Sequence, residues 1–388
     1  MREIPLRLRT WLTEDIPFAV ATVVDVQGSA PRRPGAMMAV DARGRVLGSV
    51  SGGCVEGVVY EAAMEAIKTG MPGLHRFGFS DGDAFEVGLT CGGTVEIFVQ
   101  PYIEAEPRRR MLDLADAVEA GEPVALATVI GGAPEHLGAQ LIVTPDGTDG
   151  TDGMLDDPRD GDHAQPLLTA VAADARGLLA RGVSAVRHYG AHGQRRMNDV
   201  SVFIDTFAPQ ARFLVFGATD YATAAARVGA FLGYRVTVCD ARPVFATRER
   251  FPTADEVVRA WPHEYLANTP VDERTVVCVL THEPKFDIPL LLAALRTPAG
   301  YIGVMGSRRT HEDRVARLRA EGVDEAALAR LASPIGLDLG ARTPEETAVS
   351  IAAEIIRLRW GGTGRPLAEL TGDIHGRQAE PVGSAGTY

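Results

Sequence analysis

The sequence predicts an α/β protein in two parts. An N-terminal α+β domain with an internal duplication is followed by a C-terminal Rossmann-like domain with a doubly wound parallel sheet. The duplication shows in landmarks that recur at a nearly constant separation. Ala21-Thr22-Val23 returns as Ala127-Thr128-Val129, Gly35-Ala36 as Gly138-Ala139, and VEIFVQPY at 95–102 as VSVFIDTF at 200–207. From about residue 208 the pattern changes to short apolar runs: ARFLVFGA (211–218), YRVTVCDAR (234–242), TVVCVLTH (275–282) and AGYIGVMG (299–306). Parallel strands covered on both faces read as such continuous runs, and alternation with helices gives a doubly wound sheet.

Each copy of the duplicated region reads strand, turn, strand, helix, strand, from β-branched alternation and the alanine-rich stretches between. The halves, about 1–105 and 106–207, are expected to share one sheet. Within the second copy lies PDGTDGTDGMLDDPRDGDH at 145–163. It lacks the ligand positions of a calcium-binding EF-hand and reads as a solvated loop. The Rossmann-like domain spans 208–360. Its last helix opens with Thr343 as cap, Pro344 in the first turn and Glu346 closing a capping box. Residues 361–388 read as a flexible tail.

The bulk composition narrows the function classes. With 388 residues and 46% hydrophobic content the chain can bury ordinary cores. A net charge of −12 argues against nucleic acid as the main partner. The first twenty residues hold no signal-peptide core, and no run of about 18 apolar residues occurs that would span a membrane. Four cysteines are too few and scattered for a disulfide framework, which points to a reducing, cytoplasmic setting. The absence of HExxH and of paired CxxC excludes the common zinc patterns.

The chemistry concentrates at two stretches of the first copy, SVSGGCVEG (49–57) and VGLTCGGTVE (87–96), each setting a cysteine against a glycine pair. Glycines let a large group approach the backbone, so Cys54 beside Gly52-Gly53 and Cys91 beside Gly92-Gly93 read as reachable thiols. The second copy keeps the framework without a cysteine, and packing would be expected in both copies. A helix predicted after Cys54 puts that thiol near orphan N–H groups, which favour thiolate. Such a group can attack, accept sulfur or bind a soft metal. His75 is the nearest histidine in sequence that could serve it as a base. Arg32-Arg33, between two prolines, form a rigid cationic corner suited to phosphate.

In the second domain the turn Gly217-Ala218-Thr219-Asp220-Tyr221-Ala222 matches only part of the dinucleotide fingerprint. Thr219 replaces the middle glycine, and Asp220 brings negative charge to the place of a phosphate. Asp240 is spaced to take a ribose hydroxyl, with Arg242 beside it. This leaves either a nucleotide such as NAD(P) or a scaffold that binds none. Gly306-Ser307-Arg308-Arg309 reads as a second anion site, or as arginines balancing Glu312 and Asp313. Cys239 and Cys278, within apolar strands, read as core.

Taken together, GSAPRRPGAMMAV, GSVSGGCVEG and LTCGG resemble the N-terminal domain of the xanthine dehydrogenase accessory (XdhC/CoxI-like) proteins. FGATDYATAAARVGAFLGYRVTVCDARPVF, YIGVMGSRR and SPIGLDLGARTPEETAVSIAAEIIRLR resemble that family's C-terminal Rossmann domain. The resemblance implies binding of the molybdenum cofactor (molybdopterin), its protection, and its insertion into xanthine dehydrogenase or a related molybdenum hydroxylase. A cysteine desulfurase and the target enzyme are the implied partners, and a homodimer the implied assembly. Carried over residue by residue, Cys54 is the molybdenum ligand of the GGC motif with Gly52, Gly53 and Glu56 around it. Cys91, with Gly92 and Gly93, is a second sulfur ligand or relay, and Gly28, Ser29 and Arg32 belong to the GS-x-PR loop. Gly217, Thr219, Asp240 and Arg242, with Gly306, Ser307 and Arg308, are the nucleotide or anion candidates. A cofactor-handling chaperone, not a turnover enzyme, is the expected class; an NAD(P)-dependent oxidoreductase using the Rossmann domain is the alternative. Four isolated cysteines cannot supply iron–sulfur ligands, so the chain is not itself expected to be a xanthine dehydrogenase.

Overall fold

The computed structural model describes residues 3–28, 32–78, 93–149, 164–195, 197–281 and 283–371. The chain forms two compact units, Met1–Pro209 and Gln210–Tyr388.

The first unit opens with α1 (Glu3–Thr13). Its first copy then comprises β1 (Phe18–Gln27), β2 (Met37–Asp41), β3 (Val46–Gly48), α2 (Glu56–Thr69), β4 (Gly73–Phe77) and β5 (Thr94–Tyr102). After α3 (Ala105–Ala120) the second copy repeats the plan. It runs β6 (Val124–Gly131), β7 (Gln140–Val143), β8 (Thr148–Asp149), α4 (Ala164–Arg181), β9 (Ala185–Tyr189) and β10 (Val200–Phe207). The sheets have matching orders, β3-β2-β1-β5-β4 and β8-β7-β6-β10-β9.

The duplication extends to single hydrogen bonds. Val23 N–H donates to Ala36 C=O and Gly35 N–H to Val23 C=O, at 2.9 and 2.8 Å. In the second copy Val129 N–H donates to Ala139 C=O and Gly138 N–H to Val129 C=O, both at 2.9 Å. Equivalent register shifts interrupt the two central ladders, at Val23/Asp25 against β5 and at Gly131/Val129 against β10.

The two halves do not share a sheet, contrary to the expectation from sequence; each forms its own. The reason lies in strands that are apolar on both faces. Ala19, Ala21 and Val23 pack under α2, while Phe18, Val20 and Val24 point the other way into other clusters. Joining the halves edge to edge would leave that second face in water, at roughly 25 cal/mol per Å² of apolar surface. Instead Phe18 and Val20 meet Leu126 and Phe207, and Val24 and Phe98 meet Ile130 and Phe203. The layers are therefore α2, sheet, sheet and α4, with α1 and α3 adding Leu8, Trp11 and Leu114 to the inner core.

The second unit contains β11 (Arg212–Phe216), α5 (Asp220–Phe231), β12 (Arg235–Cys239), β13 (Glu256–Val258), α6 (Pro262–Ala267) and β14 (Val276–Val279). It continues with α7 (Pro284–Leu295), β15 (Tyr301–Val304), α8 (Arg308–Ala320), α9 (Glu325–Leu328), β16 (Leu331–Ala332) and α10 (Pro344–Trp360). All ladders are parallel, in the order β13-β12-β11-β14-β15-β16. Alternate strand residues serve opposite layers. Phe213, Val215 and Val236 join α5 and α10, while Leu214, Val277 and Ile302 join α7 and α8. Thr343 and Glu346 close a capping box on α10, with Pro344 at its start. Cys239 and Cys278 are buried, as expected, and burial pushes the Cys239 thiol up to about 12. Among the described residues no helix is long and apolar enough to cross a membrane.

Candidate functional site

The topology brings Gly28, the Gly52-Gly53-Cys54 loop and Gly93 to one end of one sheet. β1 ends at Gln27, opposite Thr94 at the start of β5, so Gly28 and Gly93 leave the same pair of strands. β2 starts at Met37, where loop 28–36 returns, and Met38 pairs with Gly48 at the end of β3. Ser49 N–H then donates to Met37 C=O at 3.0 Å, which starts the Gly-Gly-Cys loop beside that return. Residues far apart in sequence thus share one end of the sheet for a topological reason. Ser29, Cys91 and Gly92 lie outside the described residues. Arg32 is exposed, and Gly93 is buried where it enters β5. His75 sits on β4, whereas the Gly-Gly-Cys loop leaves β3 at the opposite edge of the sheet.

The loop is held by Glu56, the first residue of α2. Its Oε1 accepts from Ser49 Oγ (2.7 Å), Ser51 N–H (2.9 Å) and Gly52 N–H (2.8 Å). Its Oε2 accepts from Gly53 N–H (2.7 Å) and the Ser51 hydroxyl. Ser51 Oγ in turn accepts from the N–H groups of Cys54 (3.0 Å) and Val55 (3.1 Å) ahead of the helix. Burial acts to raise the Glu56 pKa, but the hydrogen bonds from Ser51 and Ser49 outweigh it and hold the carboxyl at about 2. A carboxylate that stays ionised at neutral pH therefore shapes the turn. Glu56, expected to meet a cofactor, has both oxygens committed to its own loop. Reading the sequence overlooked Ser49 and Ser51; their spacing before Gly-Gly was the available signal.

This frame leaves Cys54 half-buried, its side chain packed at the margin of the α2 core. Gly52 and Gly53 are exposed, at φ +85° and +127°, and among the described residues a Cβ on either would meet nothing within 4 Å. Positive φ explains why glycine stands at both, and the open space is what a bulky guest beside the thiol requires. Among the described residues no three His, Cys, Asp or Glu side chains gather to hold a metal ion.

The inner faces of the two sheets enclose a second polar feature. A cavity of about 30 Å³, lined by Thr22, Gln100, Tyr102, Thr128, Gln140 and Asp205 among others, lies between them. Gln140 Nε2 donates to the Tyr102 hydroxyl at 2.8 Å, and Ser184 Oγ donates to Asp205 Oδ1 at 2.7 Å. Among the described residues Gln100 Oε1 and Asp205 Oδ2 have no partner. Burial pushes the Asp205 carboxyl up to about 7. Gly35 and Gly138, equivalent in the duplication, sit against Asp205 and Gln100 respectively, each pair joining the two copies.

In the second unit the dinucleotide turn is filled by its own side chains. A Cβ on Gly217 would lie 2.9 Å from Thr281 N, and φ is +106°. Thr219 caps α5 by accepting from Ala222 N–H at 3.2 Å. Asp240 is 3% exposed. Its Oδ2 accepts from Ala218 N–H (2.7 Å) and its oxygens take Arg242 Nε (3.0 Å) and Nη2 (2.8 Å). The carboxylate spaced for a ribose is thus engaged by Ala218 and Arg242, and Asp220 pairs with Arg250 at 3.4 Å. At the β15–α8 turn Gly306 has φ +153°, Ser307 caps α8 by accepting from Thr310 N–H at 3.2 Å, and Arg308 is exposed.

Comparison with known proteins agrees with this architecture. Residues 213–355 match the XdhC Rossmann domain, and residues 11–78 and 117–190 match the XdhC and CoxI family. A Bacillus subtilis protein named as a probable subunit of xanthine dehydrogenase is 30% identical over 353 residues, 90% of this chain and 95% of that protein. The molybdenum cofactor insertion chaperone PaoD of Escherichia coli is 25% identical, over 88% of this chain and 83% of its own. A crystal structure described as a xanthine dehydrogenase from Bacillus halodurans has the same fold. It aligns with a TM-score of 0.62 over 94% of this chain and 98% of that one, at 23% identity. On the strength of both halves, this chain belongs to the XdhC and CoxI family.

Proposed function

We propose that this protein is an accessory factor of molybdenum hydroxylases that takes up the molybdenum cofactor, shelters it and delivers it to xanthine dehydrogenase or a related enzyme. Family membership and the likeness to a molybdenum cofactor insertion chaperone support the accessory role. The observation that carries the finer reading is the convergence of Gly28, Arg32, the Gly52-Gly53-Cys54 loop and Gly93 on one end of one sheet. There a half-buried thiol stands beside two exposed glycines that no side chain crowds among the described residues. Thiolate suits a soft metal–sulfur centre, and an exposed guanidinium suits the phosphate of a pterin. In this reading Cys54 holds the cargo, Glu56 keeps the loop in shape, and Arg32 receives the phosphate. Cys91 is a second sulfur ligand or relay, a cysteine desulfurase is the sulfur-supplying partner, and the working form is a homodimer.

The test is loading of the purified protein with extracted cofactor, followed by transfer to a cofactor-free molybdenum hydroxylase. Cys54→Ala is expected to lose most of the bound pterin and Cys91→Ala less. Arg32→Ala should weaken binding about tenfold, near 1.4 kcal/mol, with the fold intact. Loading of Cys54→Ala at the level of the unaltered protein would remove the proposed ligand.

A further inference from the structure

The β15–α8 turn carries positive charge that the fold does not balance. Arg308 and Arg309 open α8, both exposed, where the helix dipole disfavours cations. Glu312 and Asp313 stand one helical turn on, at the spacing for ion pairs, yet neither pair forms among the described residues. The backbone N–H groups of Arg308 and Arg309 are also without a partner there, since the Ser307 hydroxyl takes Thr310 N–H. Beneath the turn lies Arg314, 4% exposed. Its Nη2 donates to Asp287 Oδ2 and Met305 C=O, both at 3.1 Å, while among the described residues its Nε and Nη1 have no partner. Nη1 is 3.5 Å from where a Cβ on Gly306 would sit, so the missing side chain brings the turn's backbone against an unfilled guanidinium.

The customary phosphate position of a Rossmann domain, the β11–α5 turn, differs on each of these points. Its first N–H, on Ala218, is taken by Asp240, and Asp220 adds negative charge to the first helical turn. We propose that this domain binds a phosphate group at the Gly306-Ser307-Arg308-Arg309 turn, backed by Arg314, and not at the β11–α5 turn. Two backbone donors at a helix start and two exposed guanidiniums above a buried third suit a phosphate dianion. The inference does not rest on the cofactor-handling reading, and it concerns a different unit of the chain.

Calorimetric titration of the full chain with inorganic phosphate and with adenosine monophosphate, against sodium chloride at matched ionic strength, tests it. Saturable binding of either probe is expected, weakened at least about tenfold in Arg308→Gln/Arg309→Gln. Equal affinity for the two probes would mean that the phosphate alone is read; tighter binding of the monophosphate would identify a nucleotide as the source. Asp220→Asn should leave affinity unchanged. Arg314→Gln should also weaken binding, but because it empties a buried pair, the exposed double variant decides. The proposal fails if neither probe saturates, if the double variant binds as the unaltered chain does, or if Asp220→Asn strengthens binding.

Discussion

Asp205 offers a quantitative test of how the two copies meet. It lies between the sheets, with Oδ1 on Ser184, Oδ2 unpartnered among the described residues, and a carboxyl pushed by burial from 3.8 to about 7. The folded state therefore holds this proton more tightly than the unfolded chain does. Stability from the neutral form is fully present below about 4 and is lost as pH rises through about 7. A shift of about 3 units corresponds to about 4 kcal/mol at most, and water in the adjoining cavity would reduce it. Asp205→Asn removes the titration at nearly constant volume. Urea unfolding at pH 5 and pH 8 should find the variant gaining on the unaltered protein by about 2 kcal/mol or more at the higher pH. An equal difference at both pH values, or a larger loss at pH 8, would refute the assignment of a buried, protonatable carboxyl at this interface.

The loop at Cys54 should respond to Glu56 in the opposite sense. Its depressed carboxyl stabilises the fold above about 4.5, and that contribution is lost as pH falls towards 2. Glu56→Gln should accelerate amide exchange at Gly52 and Gly53 and cost about 1–3 kcal/mol of local stability, read by hydrogen-exchange mass spectrometry. Gly217→Ala should destabilise the second unit by more than about 1 kcal/mol in thermal unfolding, since positive φ combines with Thr281 N at 2.9 Å. Gly35→Ala and Gly138→Ala should each destabilise the first unit by about 1–2 kcal/mol, because both positions require positive φ, at +87° and +81°. No loss in either variant would contradict the shared requirement for positive φ at these equivalent positions.

Much of this site was legible in the chain because its signals are local. Glycine beside cysteine marks a turn with positive φ, as at Gly52 and Gly53, and the asymmetry of cysteine between copies singled out the first. The partners of Glu56 were harder to foresee, since a capping carboxylate and a ligand-binding one look alike in sequence. Asp240 poses the same difficulty: its spacing suits a ribose, and only the approach of Ala218 N–H and Arg242 shows which groups its oxygens serve.

By itself the amino-acid sequence determined the duplication, the change to a parallel sheet after residue 208, the helix caps, and the residues able to do thiol and phosphate chemistry. These follow from periodicity and backbone preference, which act within a few residues of one another. Tertiary structure alone decided that the copies stack face to face, with Asp205 and Gln100 between them, and that Gly28, the Gly52-Gly53-Cys54 loop and Gly93 leave one sheet end. It also decided that Arg314 lies buried under the β15–α8 turn. Those outcomes depend on which apolar faces find each other and on how strands are ordered, and neither is written in the neighbourhood of any one residue.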